Sequence, residues 1–201
     1  MKKISKILIG THNEGKFKEL SFLLPKSIKK ISPVQLGIKS PKETGKTYAS
    51  NSKLKAKYFY KKSEIISLSD DSGLSINCLN GKPGVLSARW AKKHGTFKKA
   101  MTHIIKAVKK KNINKRTKNI KAKFVCSLSL QLSKNKTVNT IGIINGKISY
   151  KILGKNGFGY DPIFIPNHYK LTFGQMNKKK KILIDHRFIA FKKLKKKTSI
   201  L

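Results

Sequence analysis

The sequence predicts an α/β fold, built on a mixed β-sheet that helices flank. Two observations support this prediction. The chain opens with a short apolar strand, a polar turn and an amphipathic helix, an order typical of α/β proteins. Its later part alternates apolar and polar residues in consecutive stretches that short turns join, which indicates antiparallel strands. A sheet containing both kinds of segment is mixed rather than wholly parallel.

Three strands and two helices are predicted in the first part of the chain. The strands cover Lys6–Gly10, Ile28–Leu36 and Ile65–Ser69. The helices cover residues 17–24, with Phe17, Leu20, Leu23 and Leu24 on one face, and Thr47 to about Lys62. Three lysines of the second helix are interpreted as solvated side chains: Lys53, Lys55 and Lys57. After the third strand, Asp70-Asp71-Ser72-Gly73 is interpreted as a turn.

The later part of the chain predicts a helix, an antiparallel block and a last helix. The helix covers Phe97–Lys110, with Met101, Ile104, Ile105 and Val108 facing inward. Strands are predicted over Phe124–Leu132, Val138–Ile144 and Lys147–Ile152, with Asn145-Gly146 as a hairpin turn between the last two. The last helix carries Phe188, Ile189, Ala190 and Leu194, and we expect the basic tail Lys192–Leu201 to fray. The length of 201 residues fits one domain, or two lobes of one fold with a cleft between them.

The charge balance is extreme, with 47 Lys and Arg against eight acidic residues and a net charge of +39. Such a charge favours polyanionic ligands. The lysines are spread along the chain, however, and the densest basic segment, Lys109–Lys123, has no interleaved aromatic residues to stack bases. We therefore interpret that segment as a solvated loop and expect no requirement for nucleic acid.

Cysteine spacing and the length of the apolar runs argue against zinc-binding, disulfide-rich and membrane-spanning proteins. Cys78 and Cys126 lie far apart without CxxC spacing, which argues against a zinc site and a disulfide framework. The start lacks the features of a signal peptide, and no apolar run approaches the roughly 18 residues of a membrane span. We expect a soluble cytoplasmic protein with no membrane partner.

Two adjacent carboxylates, Asp70 and Asp71, stand out in the stretch SLSDDSGL, because acidic residues are so rare in this chain. A strand that delivers paired carboxylates to a Ser-Gly turn is one way to hold a divalent metal for phosphoryl transfer. The same residues also fit an Asx-rich turn without a ligand. From this stretch alone, both interpretations stay open.

Three other stretches carry polar groups suited to a ligand. Thr11, Asn13 and Lys16 stand at the start of the first helix, where an anion is favoured, although the P-loop spacing is absent. GKNGFGYDPIF offers close backbone approach and the ring faces of Phe158 and Tyr160 for a planar ligand. His186 near the start of the last helix fits either a ligand contact or a structural role.

Six motifs together resemble the inosine triphosphate pyrophosphatase family, in order from residue 7 to about residue 190. They are Thr11-His12-Asn13-Glu14-Gly15-Lys16 (TxNxxK), Glu43-Thr44-Gly45 (ETG), Asp70-Asp71-Ser72-Gly73-Leu74 (DDSGL), Gly81–Val85 with Ser87-Ala88-Arg89 (GxPGxxSAR), Gly157–Phe164 (GFGYDPIF), and Lys181 with His186-Arg187 (Kxxx[S]HR). One such motif is weak, whereas six in order are strong.

The resemblance implies an activity and an architecture. Family members hydrolyse ITP, dITP and XTP at the α-phosphorus, releasing the monophosphate and pyrophosphate. It further implies an elongated, curved mixed sheet, a single two-lobed domain over residues 1–201 with a central substrate cleft, a homodimer, and Mg²⁺ as cofactor.

The resemblance also implies roles for particular residues. Asp71 is expected to be the general base and a metal ligand, Glu43 a second metal ligand, and Asp70 a supporting metal contact. The expected substrate-binding residues are Thr11, His12, Asn13, Glu14, Gly15, Lys16, Ser72, Phe158, Gly159, Tyr160, Asp161, Lys181, His186 and Arg187. Among these, Phe158 is expected to stack on the base, and His186 and Arg187 to meet its 6-oxo group.

Several positions depart from the family pattern. Ser50 precedes Asn51 where the family's TFxEN motif has Glu, and Asp185 stands where the family has Ser. Gln175, Ile182 and Ile120 replace the usual Glu, Asn and Arg. Two other functions therefore stay open: a pyrophosphatase for other modified nucleotides, such as pyrimidines, and a basic nucleic-acid-binding protein with a decayed site.

Overall fold

The computed structural model describes residues 4–112 and 120–198, and its centre is a six-stranded sheet of order β2-β1-β3-β4-β5-β6. The strands are β1 Lys6–Ile9, β2 Lys29–Ile31, β3 Ser67–Ile76, β4 Lys121–Ser133, β5 Lys136–Ile148 and β6 Phe164–Pro166. The described α-helices are α1 Glu14–Leu23, α2 Tyr48–Ser63, α3 Ser87–Lys93, α4 Phe97–Asn112, α5 Lys178–Ile182 and α6 His186–Lys197.

The strand directions confirm a mixed sheet. β1 runs parallel to both of its neighbours, so that Leu8 lies opposite Ile31 of β2 and Ser67 of β3. At the other edge, β5 and β6 are antiparallel, with Lys147 opposite Ile165. The predicted α/β class is therefore confirmed.

The chain divides into two compact units, which we call the first and the second unit. The first comprises residues up to Asp71, Cys126–Gly142, and residues from His186 onward. The second comprises Ser72–Val125 and Ile143–Asp185. One boundary falls between Asp71 and Ser72, within β3.

Each unit has its own apolar core. In the first unit, residues of α1 and α6 pack with residues of β1, β3 and β4; the buried members include Ile7, Ile9, Leu20, Leu68, Leu128, Phe191 and Leu194. In the second unit, the inward face predicted for α4 is confirmed, since Met101, Ile104, Ile105 and Val108 are all buried. None of the described helices has the length and apolar character needed to cross a membrane.

Two turns predicted from the sequence are wrong. Asp70-Asp71-Ser72-Gly73 lies inside β3, which continues to Ile76. Asn145-Gly146 lies inside β5, which continues to Ile148. Gly146 is opposite Pro166 of β6, and a β-carbon at Gly146 would collide with the backbone oxygen of Ile165. This glycine therefore permits a close strand approach rather than a turn.

Three predicted segment boundaries also differ. Only Lys29–Ile31 of the strand predicted over Ile28–Leu36 is extended, and Val34–Leu36 forms a short 3₁₀ turn. The tail Lys192–Leu201, expected to fray, is helical as far as Lys197, and residues 199–201 lie outside the described residues. Of the basic segment Lys109–Lys123, the first residues extend α4, and residues 113–119 lie outside the described residues.

Candidate functional site

The start of α1 gathers three of the predicted phosphate-binding residues. Asn13 is the N-cap residue, and its side-chain oxygen accepts a hydrogen bond from the backbone N–H of Lys16 at 2.9 Å. The Thr11 hydroxyl accepts from the backbone N–H of Asn13 at 3.1 Å. The positive end of the helix dipole and the Lys16 ammonium suit this position to an anion.

Two neighbours in the same motif have other partners. The ring Nδ1 of His12 lies 2.5 Å from the hydroxyl of Ser40. Glu14 is exposed and pairs with Lys18 one helical turn later, at 3.1 Å. An exposed pair of this kind contributes little to stability. The roles of His12, Glu14 and Gly15 in substrate binding remain predictions.

Asp70 is completely buried and sits between two cations. Its Oδ2 lies 3.1 Å from Nζ of Lys16 and 3.2 Å from a terminal nitrogen of Arg187. Burial by itself disfavours the ionised form of this carboxyl. The charges of Lys16 and Arg187 outweigh that effect and hold the pKa of Asp70 well below its usual range. Asp70 is thus ionised near neutral pH.

Arg187 extends this ion-pair cluster. At the start of α6 it is 1% exposed, and its other terminal nitrogen donates to the carboxylate of Glu19 on α1. Two carboxylates therefore fix the plane of the guanidinium group. His186, just before it, is also buried.

Asp71 has a different environment, because successive side chains of a strand point to opposite faces. Its Oδ2 accepts a hydrogen bond of 3.0 Å from the side-chain amide of Asn51 on α2. Burial raises the pKa of Asp71, and the nearby charge of Glu43 acts in the same direction. The charge of Lys55 and the Asn51 hydrogen bond oppose this rise without cancelling it. Of the two aspartates, Asp71 is therefore the one with the properties of a general base.

Glu43 and Lys55 form an ion pair next to Asp71. Glu43 Oε1 lies 2.7 Å from Lys55 Nζ. The interpretation of Lys55 as a solvated side chain is wrong, since it is 7% exposed, whereas Lys53 and Lys57 are exposed as predicted. Burial by itself lowers the pKa of Lys55. The surrounding carboxylates reverse that effect and raise it above its usual value, so that Lys55 is a cation.

These carboxylates fit a magnesium ion that substrate oxygens also coordinate. Mg²⁺ in nucleotide enzymes is held by one or two carboxylates, with waters and phosphate oxygens completing its octahedron. Glu43 and Asp71 are close enough for their charges to interact. Within the described residues, no group of three or more His, Cys, Asp or Glu side chains is arranged to hold a metal. Glu43 and Asp71 are the two carboxylates that could hold such an ion.

A second cluster, in the second unit, surrounds Lys181. This lysine is 2% exposed, and its Nζ lies 3.1 Å from Asp161 and 3.4 Å from Asp185. The ammonium also lies 4.9 Å from the centre of the Phe158 ring. Asp161 accepts a hydrogen bond from the backbone N–H of Phe158 at 2.9 Å. The buried Lys181 thus contacts two other predicted substrate-binding residues, Phe158 and Asp161.

The backbone before Phe158 depends on a glycine. Gly157 has φ +74°, and a β-carbon there would collide with the carboxylate of Asp161. The φ of the next glycine, Gly159, is +65°. Both angles lie in the left-handed region, which side chains disfavour. The two glycines thus allow the tight turn that presents the Phe158 ring.

Tyr160 is held by the protein itself. Its ring is buried, its hydroxyl donates to the backbone oxygen of Ser87 at 2.9 Å, and burial raises its pKa to about 12. A role for Tyr160 or for Ser72, which is half-buried in β3, in substrate binding remains a prediction.

The departures Ser50 and Asp185 have structural roles. The Ser50 hydroxyl accepts from the backbone N–H of Thr47 at 3.1 Å, and the Thr47 hydroxyl accepts from the backbone N–H of Ser50 at 3.0 Å. Ser50 thus completes the capping box that starts α2. Asp185 pairs with Lys181.

The sequence analysis missed three residues that surround Asp70 and Asp71: Glu19, Asn51 and Lys55. Sequence spacing could have associated two of them, because Asn51 and Lys55 are four residues apart on α2 and share a face of the helix. Glu19 was detectable as an acidic residue on the face of α1 that buries Leu20.

Comparison with known proteins accords with this geometry. The chain is 38% identical over 192 residues to a dITP/XTP pyrophosphatase of Methylacidiphilum infernorum, covering 96% of this chain and 93% of that protein. It is 37% identical over 191 residues to a dITP/XTP pyrophosphatase of Caulobacter vibrioides, covering 95% and 96%.

Solved structures agree in fold. A HAM1 protein from Coxiella burnetii superposes with a TM-score of 0.86 at 30% identity, covering 98% of this chain and 100% of that one. The Staphylococcus aureus Ham1 protein gives a TM-score of 0.78 at 31% identity, covering 95% and 96%. The sequence model of the Ham1 family matches residues 7–197, and the chain therefore belongs to the Ham1 family.

Proposed function

We propose that this protein hydrolyses the triphosphates of deaminated purines, namely ITP, dITP and XTP, to the monophosphate and pyrophosphate. Near-full-length similarity to proteins named dITP/XTP pyrophosphatases supports this substrate class. The observation that carries the mechanism is the contrast between Asp70 and Asp71. Asp70 lies between the cations of Lys16 and Arg187, which lower its pKa, whereas Asp71 accepts a hydrogen bond from the neutral Asn51 amide and has a raised pKa.

Asp71 acts as the general base in this proposal. It accepts a proton from a water molecule whose oxygen attacks the α-phosphorus, and the bond from that phosphorus to the departing pyrophosphate breaks. Asn51 holds the carboxylate in place through its hydrogen bond. Bound Mg²⁺, with Glu43 and Asp71 as ligands, would neutralise charge on the phosphate oxygens.

The remaining residues bind the substrate. Thr11, Asn13 and Lys16 contact phosphate oxygens at the start of α1, where the helix dipole favours an anion. Phe158 stacks on the base. His186 and Arg187 donate to the 6-oxo oxygen, a contact that the amino group of adenine cannot accept. In the free protein the terminal nitrogens of Arg187 pair with Glu19 and Asp70.

A panel of triphosphates tests the proposal. With Mg²⁺, we expect pyrophosphate release from ITP, dITP and XTP, and far lower rates on ATP and GTP. Release of orthophosphate would exclude the reaction. A preference for modified pyrimidine triphosphates would favour the second candidate, and salt-sensitive nucleic-acid binding without hydrolysis would favour the third. The homodimer, the cytoplasmic location and the substrate cleft are further predictions, which gel filtration, fractionation and a nucleotide complex test.

A further inference from the structure

Tyr48 is a tyrosine beside Asp71 to which the proposed mechanism gives no role. It is the first residue of α2 and stands three positions before Asn51. Residues three apart on a helix share a face. Because Asn51 contacts Asp71 at 3.0 Å, that face is directed towards the catalytic carboxylate. Lys55, four residues beyond Asn51, lies on the same face and pairs with Glu43.

The Tyr48 hydroxyl is buried, and within the described part of the chain it makes no hydrogen bond. A buried hydroxyl in this state is rare, because proteins almost always satisfy such groups with a protein partner or an ordered water. Burial and, second to it, the charge of Asp71 raise the pKa of Tyr48 well above its usual range. The hydroxyl is therefore protonated near neutral pH and is available as a donor.

The position of Tyr48 relative to Asp71 suggests a hydrogen-bond partner for its hydroxyl. Asp71 is near enough for its charge to act on Tyr48, yet the two side chains form no direct hydrogen bond in the described residues. A water molecule can bridge two polar groups that make no direct hydrogen bond with each other. In a hydrolase, a water held against the general base is the one placed to react.

We propose that the Tyr48 hydroxyl donates a hydrogen bond to the attacking water while Asp71 accepts a hydrogen bond from the same water. This inference rests on the proposed function. As the water oxygen bonds to the α-phosphorus, its proton moves to Asp71, and the electron pair of the broken P–O bond leaves with pyrophosphate. Tyr48 keeps its own proton throughout and directs the lone pair of the water.

A purely packing role for Tyr48 makes a different prediction. If only the ring mattered, phenylalanine would serve equally well, and the TFxEN motif does carry Phe at this position. Tyr48→Phe removes the hydroxyl and keeps the ring, so we expect the variant to fold. Tyr58→Phe is the matched control, because Tyr58 lies on the same helix, where its ring packs edge-on against Phe59.

Steady-state kinetics on ITP separates the two roles. We expect Tyr48→Phe to lower kcat roughly 10-fold to 100-fold, as misorientation of a reactant does, with KM changed less than about twofold. Melting temperatures of both variants should match that of the wild type, and Tyr58→Phe should keep full kcat. An unchanged kcat in Tyr48→Phe would overturn the inference.

A crystal structure of the nucleotide-free protein gives a readout that does not depend on turnover. We expect a water at about 2.6–3.2 Å from both Tyr48 Oη and an Asp71 carboxylate oxygen, absent or displaced in Tyr48→Phe. A direct Tyr48–Asp71 hydrogen bond, or an empty gap, would contradict the inference. Absence of pyrophosphate release by the wild type would instead refute the proposed function, so the two failures are distinguishable.

Discussion

The side-chain amide of Asn51 links Asp71 to the loop that carries Glu43. Its nitrogen donates to Asp71 Oδ2 at 3.0 Å, and its oxygen accepts from the backbone N–H of Gly45 at 2.7 Å. Gly45 belongs to the loop that carries Glu43, whereas Asp71 belongs to β3. One residue of α2 thus sets the position of a loop and of a strand carboxylate together.

We predict that Asn51→Ala lowers activity and shifts its pH dependence. The Asn51 hydrogen bond lowers the pKa of Asp71, so its loss raises that pKa further. A general base must be ionised, and the acidic limb of the kcat/KM profile should therefore move to higher pH. Asn135→Ala, in the exposed turn between β4 and β5, is the control. A profile unchanged in Asn51→Ala would show that this contact does not tune Asp71.

We predict that substitution by Asn mainly destabilises the protein at Asp70 and mainly abolishes turnover at Asp71. Asp70→Asn leaves the buried charge of Arg187 with one carboxylate fewer, and breaking such a pair costs about 3–5 kcal/mol. Asp71→Asn removes a carboxylate whose pKa burial raises, so we expect the free energy of unfolding to change by less than about 1 kcal/mol and turnover to be lost. Urea denaturation measures the free energy of unfolding, and an ITP assay measures turnover. Equal destabilisation by the two variants would contradict the assignment.

The stability difference between wild type and Asp70→Asn should depend on pH. The pKa of Asp70 in the folded protein lies below the unfolded value of about 3.9. Its stabilising contribution is therefore complete above about pH 5 and is lost progressively as the pH falls below about 4. Urea titrations between pH 3 and 7 should show the gap narrowing on acidification, and a constant gap would be inconsistent with the ion pairs of Asp70.

We predict that Glu43→Gln raises the Mg²⁺ concentration needed for half-maximal activity about tenfold or more, because one of two proposed ligands becomes neutral. Titration calorimetry should also show weaker Mg²⁺ binding to the complex with a non-hydrolysable ITP analogue. Glu64→Gln, at the exposed C-cap of α2 and outside the motifs, should leave the Mg²⁺ requirement unchanged. If Glu43→Gln has the wild-type requirement, Glu43 is not a ligand.

Phe158→Ala should weaken substrate binding. Stacking of a base on an aromatic ring contributes about 1–3 kcal/mol, so KM for ITP should rise about tenfold or more. The ring contacts the Lys181 ammonium, which Asp161 and Asp185 still hold in the variant. Phe22→Ala, at a ring 47% exposed on α1, is the control. Equal KM values for the two variants would rule out stacking on Phe158.

The sequence predicted the α/β class and the inward face of α4, because both depend on local periodicity. It did not predict that β3 continues through Asp70 and Asp71. Turn statistics describe aspartates that water or the local backbone satisfies. Here Asp70 is satisfied inside a strand by Lys16 and Arg187, which are distant in sequence. Ion pairs between residues that are distant in sequence leave no pattern in the sequence around Asp70.

Lys55 was misassigned for the same reason. In a chain with 47 Lys and Arg, a lysine on a helix is by default an exposed charge. Only the fold brings Glu43 next to the Lys55 ammonium, and this ion pair offsets the cost of burying the lysine. In contrast, the six ordered motifs identified the family correctly, since they require no knowledge of burial.

In the proposed mechanism, water attacks the α-phosphorus with Asp71 as base. Hydrolysis of ITP in ¹⁸O-enriched water, followed by mass spectrometry of both products, tests it most directly. We predict that the label appears in inosine monophosphate and not in pyrophosphate. Asp71→Asn should yield no labelled inosine monophosphate. Label in pyrophosphate would place the attack on the β-phosphorus and contradict this mechanism.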